Sequence, residues 1–198
     1  MTEHYFSKHP TSDVVEKEFT MKLQDKRIKF VSVSGVFSFG KPDRASLMLL
    51  KYITPLYGDV LDLGCGYGLI GISLKIIFPD INIHMSDVNE RAVRYAKINA
   101  KNNNVVADVR AGDGFSIWDE KKFDFILLNP PIAAGKKVWT KLIQDSKSHL
   151  KGEGSLICVG FHNKGGKTIE REMELSFKNV STLAKSGGIR LYLSRREV

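Results

Sequence analysis

The stretch Asp62-Leu63-Gly64-Cys65-Gly66-Tyr67-Gly68 stands where a short apolar run, Asp59 to Leu63, gives way to a helix-patterned segment, Gly68 to Ile77, that stops before Pro79. Glycines at such a junction make a tight turn and let a ligand approach the backbone with no Cβ in the way. Gly66, Gly68 and Gly71 also fall at G-x-G-x-x-G spacing, the dinucleotide fingerprint. By itself the stretch is compatible with a cofactor-binding turn and with a purely structural one.

Outward from this turn the rhythm repeats. Strands are predicted at Ile81 to Ser86, Val105 to Ala111, Phe123 to Leu128 and Leu156 to Phe161. Between them lie helices: one capped by Asn89, with Ala92, Val93, Ala96 and Ala100 on one face and Asn102, Asn103 and Asn104 ending it, then Lys136 to Leu150 and Thr168 to Phe177. This alternation implies a parallel sheet with helices on both faces. The runs Asn179 to Ala184 and Ile189 to Ser194, joined through Lys185-Ser186-Gly187-Gly188, read as a terminal hairpin. A second hairpin is predicted from Phe19 to Leu23 and Ile28 to Val33, followed by a helix with Asp43 as N-cap and with Leu47, Leu50 and Ile53 available for burial. One domain over 1–198 is expected, an extension at 1–42 with its hairpin preceding a core at 43–198.

The chain has 198 residues, 42% hydrophobic and 26% charged, enough for one domain with a sizeable core. Collagen-like, disordered and disulfide-scaffold classes are excluded. No run reaches the roughly 18 to 20 apolar residues of a membrane span, and the first residues lack the order of a signal peptide, so a cytoplasmic protein is expected. Cys65 and Cys158 show no C-x-x-C spacing, and the histidines at 4, 9, 84, 149 and 162 show no H-x-x-x-H spacing; no metal site is expected. The net charge is +8, and residues 121–198, with 15 Lys and Arg against 7 Asp and Glu, supply all of it. Such a field suits a polyanionic partner such as RNA, or serves only as a solubilising surface.

Asp87 follows Gly66 by 21 positions at the end of the next strand, where a carboxylate can accept two hydrogen bonds from a ribose diol. Asp113, within Ala111-Gly112-Asp113-Gly114-Phe115, closes the third strand. Acidic residues at three successive strand ends line the edge where ligands of this architecture bind, which favours a nucleoside ligand. After the fourth strand comes Asn129-Pro130-Pro131-Ile132. Its prolines stiffen the loop and remove donors, so that the Asn129 amide oxygen and the Pro130 carbonyl are acceptors suited to a substrate NH2 group. A simple turn ending the strand has the same signature.

In this order and spacing, Asp62-x-Gly64-x-Gly66-x-Gly68, Asp87, Asp113 and Asn129-Pro130-Pro131-Ile132 resemble the S-adenosylmethionine-dependent class I methyltransferases. They are most similar to the "methyltransferase small" group, which includes ribosomal RNA guanine-N2 methyltransferases. His4-Tyr5-Phe6-Ser7, Pro10 and Ser34-Gly35-Val36-Phe37-Ser38 resemble that group's opening, so the likeness covers nearly the whole chain. It implies an α/β, Rossmann-like fold: a seven-stranded, mostly parallel sheet with an antiparallel last strand, helices on both faces and a small N-terminal β extension.

It further implies S-adenosyl-L-methionine as cofactor, with Gly64, Gly66 and Gly68 behind its methionine and ribose parts. Asp62 would reach its amino group, Asp87 the ribose hydroxyls and Asp113 the adenine amine, with Cys65, Val88, Gly114 and Phe115 nearby. Asn129 and Pro130 would hold the target nitrogen, and Pro131, Ile132, Phe37, Lys136 and Lys137 would contact the substrate. The implied reaction is methylation of an exocyclic amine of RNA, foremost guanine N2 of ribosomal RNA. Relatives acting on adenine N6 or protein glutamine N5 usually carry an aromatic residue where Ile132 stands. The group's basic residue after the tetrapeptide is here Ala133, which shifts phosphate contacts toward Lys136 and Lys137.

Other readings remain open: within the methyltransferases, a protein glutamine N5 or adenine N6 target; more remotely, a nicotinamide-dependent oxidoreductase using Gly66 to Gly71, or a non-catalytic RNA-binding module. The run Phe161 to Thr168 misses the P-loop pattern by its Phe161 and reads as a glycine-rich turn with a basic rim. His4, Tyr5, Phe6 and Phe37 are candidates for an aromatic lid or for stacking on an extruded base. Trp139 is expected in the core.

Overall fold

A computed structural model describes residue 8 and residues 12–197; His4, Tyr5, Phe6, His9 and Pro10 lie outside the described residues. The first element among the described residues is an antiparallel pair, β1 (Glu16–Leu23) and β2 (Lys26–Val33), which turns at Gln24 and Asp25. Helix α1 (Arg44–Tyr52) follows, its first turn capped by Asp43, whose Oδ1 accepts from the backbone N–H of Ala45 and Ser46. Then come β3 (Asp59–Leu63), α2 (Leu69–Ile77), β4 (Asn82–Asp87), α3 (Glu90–Asn102), β5 (Asp108–Ala111) and β6 (Phe123–Leu128). The chain closes with α4 (Lys136–His149), β7 (Leu150–Phe161), α5 (Lys167–Phe177), β8 (Ser181–Ser186) and β9 (Ile189–Arg195).

The last seven strands form one sheet in the order β5-β4-β3-β6-β7-β9-β8. Neighbours from β5 to β7 are parallel, and β9 runs antiparallel to both β7 and β8. From β3 the chain winds first toward β4 and β5, then returns to place β6 on the other side of β3. That reversal is the topological switch point, where the crevice beyond the strands' carboxyl ends accepts ligands.

Period-two alternation sorts side chains to the two faces. Val60, Phe125, Leu127, Ile157 and Val159 pack in a core with α1, α2, α3 and the β1-β2 pair. Leu61, Leu63, Ile126, Leu128, Leu156 and Cys158 face a second core with α4 and α5. Each fully buried aliphatic side chain stabilises the fold by about 1.5 to 3 kcal/mol relative to exposure. At the opposite, amino edge, His84 lies between Asp59 and Asp108, and Lys151 bridges Asp59 and Asp124.

Most predicted elements stand, with informative differences at their ends. Strand β5 starts at Asp108 rather than Val105, because the Val105 N–H is taken by the Ala100 carbonyl at the end of α3. Strand β7 begins six residues before Leu156; the glycines and charges of its first half hide the strand pattern, and a register shift between Phe123 and Phe125 accommodates it. Helix α1 buries Ala45, Met48, Leu49 and Leu50, leaving Leu47 exposed against expectation. Trp139 is in the core as expected.

Candidate functional site

The glycine turn is bound to the strand beside it. Gly64 N and Cys65 N both donate to the Ser86 carbonyl, at 2.8 and 2.9 Å, and Gly66 N donates to Asp87 Oδ2 at 2.8 Å. Gly64, Gly66 and Gly68 all have positive φ, of 74°, 56° and 91°, the left-handed region in which a Cβ is penalised. A Cβ on Gly64 would meet no atom within 4 Å, so that residue faces open space. A Cβ on Gly68 would instead come 2.7 Å from Ile72 Cδ1; Gly68 serves close packing at the start of α2 and does not line the cavity.

Helix α2 starts on Gly68 without a side-chain cap. Its orphan donor at Gly71 is satisfied from the sheet, by Asp62 Oδ2 at 2.8 Å. Alternation along β3 sends Asp62 to the α2 face between Leu61 and Leu63, where it is 1% exposed. Burial first, and the nearby Asp87 charge, raise its carboxyl to about 7 against the pull of the Gly71 N–H. Asp62 therefore lies behind the turn. Burial likewise raises Asp87, although the N–H groups of Asn89, Gly66 and Val88 favour its charged form.

In front of the turn is a cavity of about 390 Å³ lined by Gly64, Cys65, Gly66, Asp87, Val88, Asp113 and Gly114, and by Asn129, Pro130 and Pro131 from the end of β6. Its size suits a small-molecule ligand. Burial, then the fields of Asp87 and Asp62, hold the Cys65 thiol well above its ordinary range, so it offers no nucleophile. The N-terminal segment supplies another wall: Val36, Phe37 and Ser38 line the cavity. This wall is held by Asn89 Nδ2 donating to the Gly35 carbonyl at 2.8 Å and by the Tyr67 hydroxyl donating to the Ser38 carbonyl at 3.3 Å.

The loop after β6 is fixed by α1. Asn129 Nδ2 donates to Ser46 Oγ at 3.1 Å and to Asp43 Oδ1 at 3.3 Å. Asp43 Oδ1 already accepts two backbone N–H groups. The Asn129 atom facing this acceptor must be the nitrogen, which leaves the amide oxygen with accepting capacity elsewhere. The Pro130 carbonyl accepts from Ile132 N at 2.8 Å and retains a second lone pair.

The structure thus brings together ten of the predicted site residues around the cavity, with Phe37 at its edge, and leaves six out. Asp62 and Gly68 lie behind the turn. Phe115 belongs to the second core and stacks on His149 at 4.2 Å between centroids. Ile132 is 39% exposed in a short 3-10 turn, Ile132–Ala134, and Lys136 and Lys137 are exposed at the start of α4. Conversely, Asp43, Ser46, Val138 and Leu142 line the cavity and were not expected there. Val138 and Leu142 had a readable signal in their spacing of four on one helix face; for Ser46 the sequence carries none.

Residues 27–193 match the family model described as "Methyltransferase small domain". An uncharacterized protein of Bacillus subtilis, YbxB, is 40% identical over 192 residues, covering 95% of this chain and 96% of that protein. A ribosomal RNA small subunit methyltransferase C of Aliivibrio fischeri is 34% identical over 184 residues, covering 91% of this chain and 53% of that protein; the chain spans about half the length of the relatives bearing that name. Among solved structures, a Thermus thermophilus 16S rRNA N2 G1207 methyltransferase in complex with AdoMet and guanosine superposes with a TM-score of 0.82 at 23% identity, over 95% of this chain and 52% of that one. The chain belongs to the methyltransferase small domain family.

Proposed function

We propose that this member of the methyltransferase small domain family uses S-adenosyl-L-methionine to methylate an exocyclic amine of RNA, foremost guanine N2 of ribosomal RNA. The observation that carries the reading is the Asn129 amide, pinned through its nitrogen by Ser46 and Asp43 at the rim of a cavity backed by the glycine turn. The relatives named ribosomal RNA small subunit methyltransferase C support the RNA target.

The residues present fit the cofactor. Gly64 leaves backbone clear for close approach, Asp87 offers acceptors for ribose hydroxyls, and Asp113 and Gly114 offer polar groups for a base, with Val138 and Leu142 as an apolar wall. When bound, the cofactor supplies a methyl group on a positively charged sulfur. Asn129 Oδ1 and the free lone pair of the Pro130 carbonyl each accept one hydrogen of the target NH2 group. That fixes the nitrogen and aims its lone pair into the cavity, so positioning supplies most of the acceleration. The cavity residues need not include a strong base, since the methylated amine releases its surplus proton to water.

Protein glutamine N5 and adenine N6 present the same NH2 geometry. Ile132 offers no ring for stacking a planar target, and the basic surplus of residues 121–198 favours RNA over a protein substrate. The family membership removes the support for a nicotinamide-dependent oxidoreductase.

Calorimetric titration with S-adenosylhomocysteine beside NADH, followed by labelled methyl transfer to ribosomal RNA and to subunits, tests the reading. Saturable binding of S-adenosylhomocysteine alone, with methylation lost in Asn129→Ala, is the expected result. A wild type that binds no S-adenosylhomocysteine sinks it, and retention of binding without transfer to any RNA points to the non-catalytic module.

A further inference from the structure

Because β9 runs antiparallel to β7, with Ile189 opposite Phe161, the turn between β8 and β9 returns to the ligand-binding edge of the sheet. There it meets the turn His162–Gly166, which precedes α5. His162 N donates to the Gly188 carbonyl at 2.8 Å, and Arg44 Nη2 donates to the Gly187 carbonyl at 3.2 Å. Between these turns lies a shallow depression of about 310 Å³, walled by His162, Asn163, Lys185, Gly187, Gly188 and Arg190.

Its charge is one-sided. Lys185 and Arg190 wall the depression, and Lys167 opens α5 directly after the turn His162–Gly166; burial first, and then the fields of Arg190, Lys167 and Lys185, lower the basicity of His162 against the opposing Glu170. Glu170 lies 3.7 Å from Arg190 and offsets part of that charge. Among the described residues neither Lys167 nor Lys185 forms an ion pair, and both are exposed. Glu170 leaves the two lysine charges unpaired, and a polyanion would neutralise them.

The depression adjoins the proposed active site through two contacts. Gly165 sits against Ile132, since a Cβ there would lie 3.2 Å from Ile132 Cδ1. Arg44 directly follows Asp43, which lines the cavity and touches Asn129.

We propose that this depression docks the phosphodiester backbone of the RNA strand carrying the target base, with Lys167, Lys185 and Arg190 as its phosphate contacts. The inference rests on the RNA reading above and moves the principal backbone contacts from Lys136 and Lys137 to the β8-β9 side of the substrate loop. Phosphate contacts set register while the pocket reads the base. A shallow basin rimmed by flexible cations suits a repeating backbone charge better than it suits a peptide, which needs apolar pockets for its side chains.

The test compares wild type, Lys167→Glu/Lys185→Glu and a control of equal charge change, Lys97→Glu/Lys101→Glu. The control residues are exposed on α3, which packs beside β4 and β5 at the far edge of the sheet. Glutamate at the first residue of α5 suits the helix dipole, and both substituted lysines are exposed, so neither change enters the core. Anisotropy of a fluorescein-labelled mixed-sequence RNA is followed between about 50 and 200 mM salt, and S-adenosylhomocysteine binding is measured on all three proteins.

The site variant is expected to bind RNA about tenfold more weakly, with the slope of log K against log salt reduced by about 2. The control keeps RNA affinity near that of wild type, and all three bind S-adenosylhomocysteine alike. Undiminished RNA binding by the site variant, or an equal loss in the control, overturns the docking site and leaves the methyltransferase reading intact. A wild type that binds S-adenosylhomocysteine but no RNA refutes the RNA substrate itself, and the docking site with it.

Discussion

The side-chain nitrogen of Asn129 lies 3.1 Å from the hydroxyl oxygen of Ser46, a contact between residues 83 positions apart. Ser46 is buried in the first turn of α1, where Asp43 caps the helix and shares the same amide nitrogen. Helix α1 thereby sets the direction in which Asn129 presents its oxygen.

Removing one of these acceptors affects orientation more than binding. In Ser46→Ala the amide keeps only Asp43, and loss of one hydrogen bond, worth about 1 kcal/mol, lowers kcat roughly fivefold. The KM for RNA and the Kd for S-adenosylhomocysteine stay near wild type, whereas Asn129→Ala loses about a hundredfold or more in kcat. Equal losses in kcat and cofactor affinity on Ser46→Ala would show that the contact supports the fold and not the orientation.

Asp87 has two tasks, since its carboxylate accepts from Gly66 N and from Asn89 N while lining the cavity. Asp87→Ala is expected to weaken S-adenosylhomocysteine binding between about tenfold and a hundredfold, or 1.4 to 2.7 kcal/mol. It also lowers the melting temperature, because two backbone donors lose their partner. Asp87→Asn keeps one acceptor oxygen and falls between wild type and Ala in both calorimetry and thermal unfolding; an Asn variant worse than Ala would contradict this division.

The glycines at the β3-α2 junction differ in kind. A Cβ on Gly71 would come 2.6 Å from Met85 Sδ and 3.2 Å from Asp62 Oδ2, so Gly71→Ala destabilises by about 1 to 3 kcal/mol through overpacking, despite the better helix propensity of alanine. Gly64→Ala meets no neighbour and carries only the left-handed backbone penalty, of about 1 to 2 kcal/mol; its main effect is weaker cofactor binding. Urea unfolding and calorimetry separate the two, and a Gly64 variant with full cofactor affinity would place the ligand elsewhere.

The buried Asp62 makes stability depend on pH. Its folded carboxyl is raised to about 7, against roughly 3.9 in an unfolded chain, so between those values the folded state binds more protons. Stability is therefore highest near the lower value, falls as pH rises through the window and levels off above about 7. Asp87, also raised by burial, contributes a slope of the same sign. Asp59 acts in a different window: burial opposes its ionisation, but Lys151, His84 and Lys121 outweigh it and bring it to about 2, so its contribution is lost as pH falls from about 4 toward 2. Urea midpoints between pH 4.5 and 7.5 should drop for wild type and flatten in Asp62→Asn, and an unchanged slope in that variant would assign the effect to other groups.

Much of the architecture is local information. The Gly64-x-Gly66-x-Gly68 turn, the N-caps Asp43 and Asn89 and the alternating strands β3 and β6 are written in contiguous residues, because turn geometry, capping and pleat periodicity act over a few positions. The ends of β5 and β7 were not legible, since a carbonyl from α3 and pairing with β6 decide them. The same division runs through the candidate site. Gly64, Gly66, Asp87, Asp113 and Asn129 announced themselves by type and by position at strand ends, where the carboxyl edge of a parallel sheet gathers them.

Tertiary structure alone decided which of these side chains face the cavity. Asp62 turned to a helix terminus because pleat alternation gave it to the α2 face and burial demanded a donor. Phe115 went to the core because a ring gains more from His149 and the apolar layer than from an open edge. Ser46 came beside the Asn129 loop, and the Lys185-Arg190 hairpin beside the turn His162–Gly166, because β9 inserts antiparallel between β7 and β8 while α1 packs over the same sheet end. The sequence by itself determined the elements, their order and the chemistry available at the strand ends; the packing of one face against another determined which groups meet, since hydrogen bonds and charges act through space between residues the chain keeps far apart.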